Sequence, residues 1–410
     1  MKIRPLKEQY EIRDELLKDR LDNLLAPIMK ETGIDLWLIP SMEYNEDMLL
    51  KLLTPMLYPT ARRITMLVLY YDGEKLHRYA VAAKDPALEG YYECRYDRSK
   101  ESCWEALIKI LDVCPSKVIG LNYSPDYAFG DGLSKGMFDS LMANLPEKYT
   151  SKFTSANELC IRYMETRSEK EKPYFAEVMD AAMDIIKHTY SREVIIPGKT
   201  TCADLEWAMM QQVNDKGLEF WFPPTIDAQR AGKGMFSGDE IPLEEGDMIH
   251  CDFGIVYLGL CTDTQRLGYI LKEGETEVPE GLRAGKEENN RFQDIVCSYM
   301  EKNMTGNEIL TASLKQAAEE GIDATLYTHP IGYYGHGPGP TIGLYDNQKS
   351  VPVKGERTVN PDTAYALELN TKRPVEGYEG KVVFFTEETV LLSDGKVGYL
   401  AANRDEIMKI

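Results

Sequence analysis

The 410-residue sequence carries 47 lysines and arginines against 67 aspartates and glutamates, a formal charge of −20. That excess repels phosphate backbones and anionic lipid surfaces, which argues against nucleic acid and membrane as partners. The length, with 43% hydrophobic residues, exceeds what one ordinary core organises and implies two domains.

The opening MKIRPLKEQYEIRDELLKDRLDNLL alternates charge with leucine and lacks the apolar core of a secretory signal. No later stretch reaches the roughly 18 uninterrupted apolar residues of a membrane span. The expected location is therefore cytoplasmic. The eight cysteines are widely spaced, without a CxxC pair, and read as reduced structural residues.

After the amphipathic opening helix, IDLWLIP (34–40), RITMLVLYY (63–71), LHRYAVAA (76–83) and KVIGLNY (117–123) read as strands between helical and loop stretches. Residues 1–158 are expected to form an α/β domain and 159–410 a second domain. The second opens on a helix whose apolar Phe175, Val178, Met179, Ala182, Ile185 and Ile186 recur at helical spacing. A turn at IPGKTT leads into another helix, with Thr201 as N-cap and Asp204 in its first turn. From residue 246 the pattern becomes strand-like: GDMIHCDFG, CTDTQRLGYI and, after a helical stretch over 280–320, TAYALELN and KVVFFTEETVLL. The fold class expected for this half is α+β, with helices covering a curved, mainly antiparallel sheet.

The strand around 248–254 places His250 and Asp252 on one face. Asp263 follows Asp252 at a separation that a hairpin can close. Glu368 and Glu387 sit within apolar strands built for burial. Four buried carboxylates cost too much without cations, and with a neutral histidine their charge is matched by two divalent ions. The histidine-bearing segment THPIGYYGHGPGPTIG holds His329 and His336 among glycines that let backbone approach a ligand.

The ordered set HCDFG, CTDTQR, HPIGYYGH, ALELN and TEETVLL resembles that of the pita-bread metallopeptidases, which include methionine aminopeptidase, aminopeptidase P and prolidase, with creatinase as a metal-free relative. The preceding half resembles the smaller α/β creatinase-type N-terminal domain of aminopeptidase P and prolidase. The resemblance implies that Asp252 chelates one metal, that Asp263 and Glu387 bridge both, and that His329 and Glu368 complete the set. It also implies that His336 contacts the substrate or tetrahedral intermediate, and that Glu368 moves a proton to the leaving nitrogen. Manganese is the metal the family suggests, with cobalt, iron or zinc as alternatives, and a homodimer is the assembly it suggests.

Three positions depart from that pattern. Where aminopeptidase P and prolidase carry a histidine about twelve residues before Asp247, this chain has Met235. Gln265 replaces a threonine, and Phe385 an arginine. His250, Arg230 and Lys233 are candidate substrate-binding replacements, and the aromatic FWFPP (220–224) a candidate cleft wall. The function expected is a dinuclear metal-dependent hydrolase of the Xaa-Pro aminopeptidase or prolidase type, with an altered pocket and a metal-bridging hydroxide, acting on short peptides. Two alternatives stand beside it: a non-peptidase hydrolase or lyase acting on a small amide or carboxylate, and a non-catalytic peptidase-like binding module.

Overall fold

The computed structural model describes residues 2–401 and 404–410. It divides into two compact units, Arg4–Met164 and one built mainly from Glu165–Ile410.

In the first unit, helices Leu6–Asp19 and Leu25–Thr32 precede β1 (Leu36–Met42), β2 (Ile64–Tyr71), β3 (Leu76–Val81), β4 (Glu93–Cys94), β5 (Ile119–Leu121) and β6 (Phe153–Ser155). These form a mixed sheet in the order β4-β3-β2-β1-β5-β6. β1 and β2 are buried on both faces, so they read as continuous apolar runs rather than alternating ones. Helix Cys103–Asp112 starts at a capping box between Ser102 and Glu105 and buries Ala106, Leu107, Ile110 and Leu111 against Leu36, Leu38, Met66 and Val68.

In the second unit, helix Glu171–Thr189 buries the expected apolar stripe, and helix Cys202–Asp215 begins at Thr201 with Asp204 completing a capping box. The helical stretch over 280–320 is two helices, Glu280–Met300 and Gly306–Glu319, the second capped by Thr305 and Glu308. The strands are β7 (Glu219–Phe220), β8 (Thr225–Arg230), β9 (Gly234–Ser237), β10 (Met248–Phe253), β11 (Ile255–Tyr257), β12 (Leu260–Cys261), β13 (Thr264–Tyr269), β14 (Ala324–Leu326), β15 (His329–Ile331), β16 (Thr363–Pro374), β17 (Lys381–Ser393), β18 (Lys396–Tyr399) and β19 (Met408–Lys409).

The main sheet runs β14-β16-β17-β13-β10-β8-β9, with β15 and β18 alongside β16 and β17. Among the described residues, only the pairing of β19 with β13 is parallel in this sheet. Here the α+β arrangement expected from the sequence is found. The sheet curves strongly: the Gln229 carboxamide on β8 donates to Val383 O at 2.8 Å and accepts from Val383 N at 2.9 Å on β17, across the two strands between them. Among the described residues no helix is long and apolar enough to cross a membrane.

Candidate metal centre

The centre is laid out by strand register. Asp252 on β10 pairs with Gln265 on β13, Gln265 with Glu387 on β17, and Glu387 with Glu368 on β16. Because paired residues face the same side, one row across four strands delivers three carboxylates and one amide to a single surface. Asp263 joins them from the residue before β13. The chain between the two aspartates makes β11 and β12, turning at Leu258 and Gly259 with φ of 53° and 78°. His329 enters from β15, opposite Ala366 and two positions along β16 from Glu368.

Oxygens of Asp252, Asp263 and Glu387 lie within 4.8 Å of one another, as do ligating atoms of His329, Glu368 and Glu387. The His329 Nε2 stands 3.7 Å from Asp263 Oδ2 and 3.9 Å from Glu368 Oε1, too far for hydrogen bonds and right for atoms sharing an ion. Asp252 Oδ1, Asp263 Oδ1, both oxygens of Glu387 and His329 Nε2 are buried and lack hydrogen-bond partners. Unpaired buried acceptors converging on one spot are costly, and a cation satisfies them together. His329 is prepared for such a role. Its Nδ1 lies 3.0 Å from Pro330 O, which sets the proton there and leaves the Nε2 lone pair facing the cluster.

The electrostatics agree. Burial pushes the carboxyls of Asp263, Glu368 and Glu387 well above the usual range, and the neighbouring carboxylates push them further. Asp252 is raised by burial against the opposing charge of His250. Burial, with His336 nearby, lowers His329 to about 4, so it is a neutral donor at neutral pH. The donor set, oxygen-rich with one imidazole, fits hard or borderline divalent cations.

His336 stands beside the cluster on the glycine-rich loop. Its ring meets His329 at 4.6 Å and 88°, and Trp221 at 5.2 Å and 75°. Asp263, His329 and His336 also bring ligating atoms within 4.8 Å of one another. Trp221 is locked in place: Nε1 donates to Thr262 O at 2.8 Å, and a Cβ on Gly335 would come within 2.3 Å of its indole. Gly335 is therefore needed for the close approach of that loop. The loop is also anchored by Tyr333, whose hydroxyl donates to Glu171 and whose ring lies 4.6 Å beneath the Arg167 guanidinium.

Of the candidate substrate residues, His250 lies on the site face, buried in the sheet, with Nδ1 2.7 Å from Asp227 and Nε2 3.1 Å from Gln265. Burial works against its charge, but the hydrogen bond and charge of Asp227 outweigh it and raise the pKa. Arg230 is placed elsewhere. It lies on β8, five positions beyond the Asp252 partner Thr225, or roughly 16 Å along the strand. There it is paired with Asp247 at 2.7 and 2.8 Å. Lys233 is exposed in the turn after β8, 5.8 Å from the Phe236 ring.

Sequence reasoning missed Asp227 and Tyr327. TIDAQR follows two prolines and precedes glycines, a composition typical of loops that masks Asp227. Its alternation, with Ile226 and Ala228 buried on one face and Asp227 and Gln229 on the other, was the available signal. Tyr327, two residues before His329, is buried close enough to feel the charges of Glu368, Glu387 and Asp252.

A family model described as metallopeptidase family M24 matches residues 174–394. The chain belongs to that family. All the residues of the cluster fall within the M24 match, and M24 proteins use divalent metals. The fold is similar to that of X-Pro aminopeptidase from Thermotoga maritima, with a TM-score of 0.65 and 16% identity over 94% of this chain and 100% of that one. It is also similar to Xaa-Pro dipeptidase from Bacillus anthracis, with a TM-score of 0.57 and 15% identity over 98% and 99%. These are pita-bread metallopeptidases, as the resemblance implied. A Mycoplasma pneumoniae protein, described provisionally as an Xaa-Pro aminopeptidase, is 24% identical over 154 residues, 37% of this chain and 40% of that protein.

Proposed function

We propose that this M24 protein is a dinuclear metal-dependent peptidase of the Xaa-Pro aminopeptidase or prolidase type, with an altered substrate pocket. The observation that carries the reading is two adjoining groups that share Glu387, Asp252 with Asp263 and His329 with Glu368, in which buried atoms of Asp252, Asp263, His329 and Glu387 lack hydrogen-bond partners. The ligands are Asp252, Asp263, His329, Glu368 and Glu387, and manganese is the cation the family resemblance favours. Two divalent cations bound there would supply activated water near neutral pH and polarise a scissile carbonyl.

The chain's own residues divide the remaining work. His329 holds its proton at Nδ1 and offers Nε2. Glu368, on the site face beside the other ligands, is placed to pass a proton to a leaving nitrogen. His336, packed on Trp221 and kept largely neutral by burial, is placed to donate a hydrogen bond to a developing oxyanion.

The altered pocket follows from Phe385, which occupies the site face against His250 at 5.0 Å and offers no donor to a peptide backbone or carboxylate. Met235, on the edge strand β9, offers none either. Each absent donor removes about 1 to 3 kcal/mol of transition-state binding, a factor of about 10 to 10². The test pairs metal analysis with kinetics. Up to two divalent ions are expected in the wild type and fewer in Asp263→Ala. Matched peptides without proline are expected to exceed Xaa-Pro peptides in kcat/KM. A folded wild type without bound metal refutes the metal centre, and Xaa-Pro peptides winning at about 10⁴ M⁻¹s⁻¹ or more refute the altered pocket.

A further inference from the structure

The face that carries the proposed ligands also carries a hydrogen-bonded chain that no ligand role explains. Asp227 on β8 pairs across the sheet with His250 on β10, and Asp252, two positions on, pairs with Gln265 on β13. Side chains link these strands in sequence. His250 Nδ1 lies 2.7 Å from Asp227 Oδ2, His250 Nε2 lies 3.1 Å from Gln265 Oε1, and Gln265 Nε2 donates to Glu368 Oε2 at 2.8 Å.

The orientation of each group follows from the ends. With a cation at the site Glu368 is an ionised carboxylate that accepts, so the amide nitrogen of Gln265 faces it, as in the 2.8 Å bond from Nε2 to Oε2. The amide oxygen then faces His250, whose Nε2 carries the donated proton. His250 and Gln265 are both buried, and the Phe385 ring covers the imidazole at 5.0 Å. Buried side chains joined end to end in this way have little rotational freedom and transmit placement from one to the next.

We propose that Asp227, His250 and Gln265 are positioning residues that hold Glu368 Oε2, so that Glu368 meets the cation through Oε1 alone. The inference rests on the metal-centre reading above. Oε1 is the atom 3.9 Å from His329 Nε2, and Oε2 is taken by the amide. The length of Gln265 makes this work: the threonine that the family pattern carries at this position ends nearer the backbone. With Oε2 released, the carboxylate is free to rotate and bind the ion through both oxygens, which raises the coordination number.

Cobalt reports that change directly, because its visible bands weaken as coordination number rises. The experiment titrates cobalt into the metal-free full-length protein and follows absorbance for wild type, Gln265→Met, His250→Leu, the double variant and His250→Gln. Thermal unfolding of each variant checks the fold. Gln265→Met and His250→Leu are expected to show weakened bands and roughly 10- to 100-fold lower cobalt affinity. The double variant should be no worse than either single one, since the chain is broken once. His250→Gln, which keeps a side-chain donor at this position, is expected to recover most of the wild-type spectrum, and its recovery keeps the test open should an apolar variant unfold. Wild-type bands and affinity in both single variants overturn the positioning role, as does a double variant whose loss equals the sum. A folded wild type that takes up no cobalt overturns the metal-centre reading itself.

Discussion

The clustered carboxylates should make the metal-free protein a poor compromise, and Glu387→Gln exposes the conflict. Oxygens of Asp252, Asp263 and Glu387 lie within 4.8 Å of one another. At an effective dielectric of ~20, two unit charges at 4.8 Å repel by about 3.5 kcal/mol. The folded protein avoids part of this by keeping protons, which is why burial and mutual repulsion raise the pKa of Asp252, Asp263, Glu368 and Glu387. Groups with raised folded-state pKa bind more protons folded than unfolded. These four groups therefore contribute stability to the metal-free protein that is fully present below the unfolded carboxyl value of about 4 and lost as pH rises through the raised folded values.

Removing one charge with an isosteric amide should raise metal-free stability at pH 8 by about 3 kcal/mol, or roughly 6 to 12 °C for a unit of this size. The same substitution should remove the gain from added manganese, which in the wild type reaches about 2.7 kcal/mol at a hundredfold excess over Kd. Differential scanning calorimetry on chelator-treated protein at pH 5 and pH 8, with and without manganese, measures both. A Glu387→Gln protein less stable than wild type without metal at pH 8, or one that keeps the full manganese shift, would refute the reasoning.

His336→Ala should lower turnover by about 10²-fold and leave metal content unchanged, as the loss of one transition-state donor; loss of metal as well would make His336 a ligand. Gly335→Ala should drive a methyl into Trp221, whose indole would lie 2.3 Å away, and cost about 1 to 3 kcal/mol together with much of the activity. Lys286 lies beneath the sheet, where burial lowers its pKa to about 7 although Glu388 is nearby. The unfolded chain binds that proton up to about 10.5, so wild-type stability should rise between pH 7 and 10. Lys286→Met should stabilise at pH 7 by up to about 4 kcal/mol, less about 1 for the lost bond to Asn290, with the advantage fading by pH 10. An unfolding series across that range checks the sign.

The strands and helices were legible wherever periodicity was strong. The Thr201 capping box and the long strands β16 and β17 stand where the pattern puts them, because local chemistry decides them. The pairing of those strands was not legible. Nothing in TAYALELN or VVFFTEETVLL says that Glu368 faces Glu387, since register is set by the turn between β16 and β17 and by helix Glu280–Met300 behind them. The split near Thr305 escapes the pattern for another reason: helical spacing persists on both sides of it, and the break is marked only locally, by Asn303 at φ 53° and the Thr305 cap.

The same distinction explains the departures from the family pattern. In the sequence, His250, Gln265 and Phe385 are separate oddities, far apart in the chain. In the sheet they touch: the imidazole of His250 bonds Gln265 at 3.1 Å and packs on Phe385 at 5.0 Å. An arginine at 385 would replace the apolar ring that now covers the imidazole, whose hydrogen bonds to Asp227 and Gln265 are already made. Phenylalanine at 385 and histidine at 250 are therefore mutually consistent, and Gln265 is the residue long enough to join that pair to Glu368. Met235 stands outside this cluster, opposite Gln229 at the sheet edge. The substitutions near the proposed metal ligands thus form one packed unit that acts on Glu368, while Met235 on β9 stands apart from it at the rim.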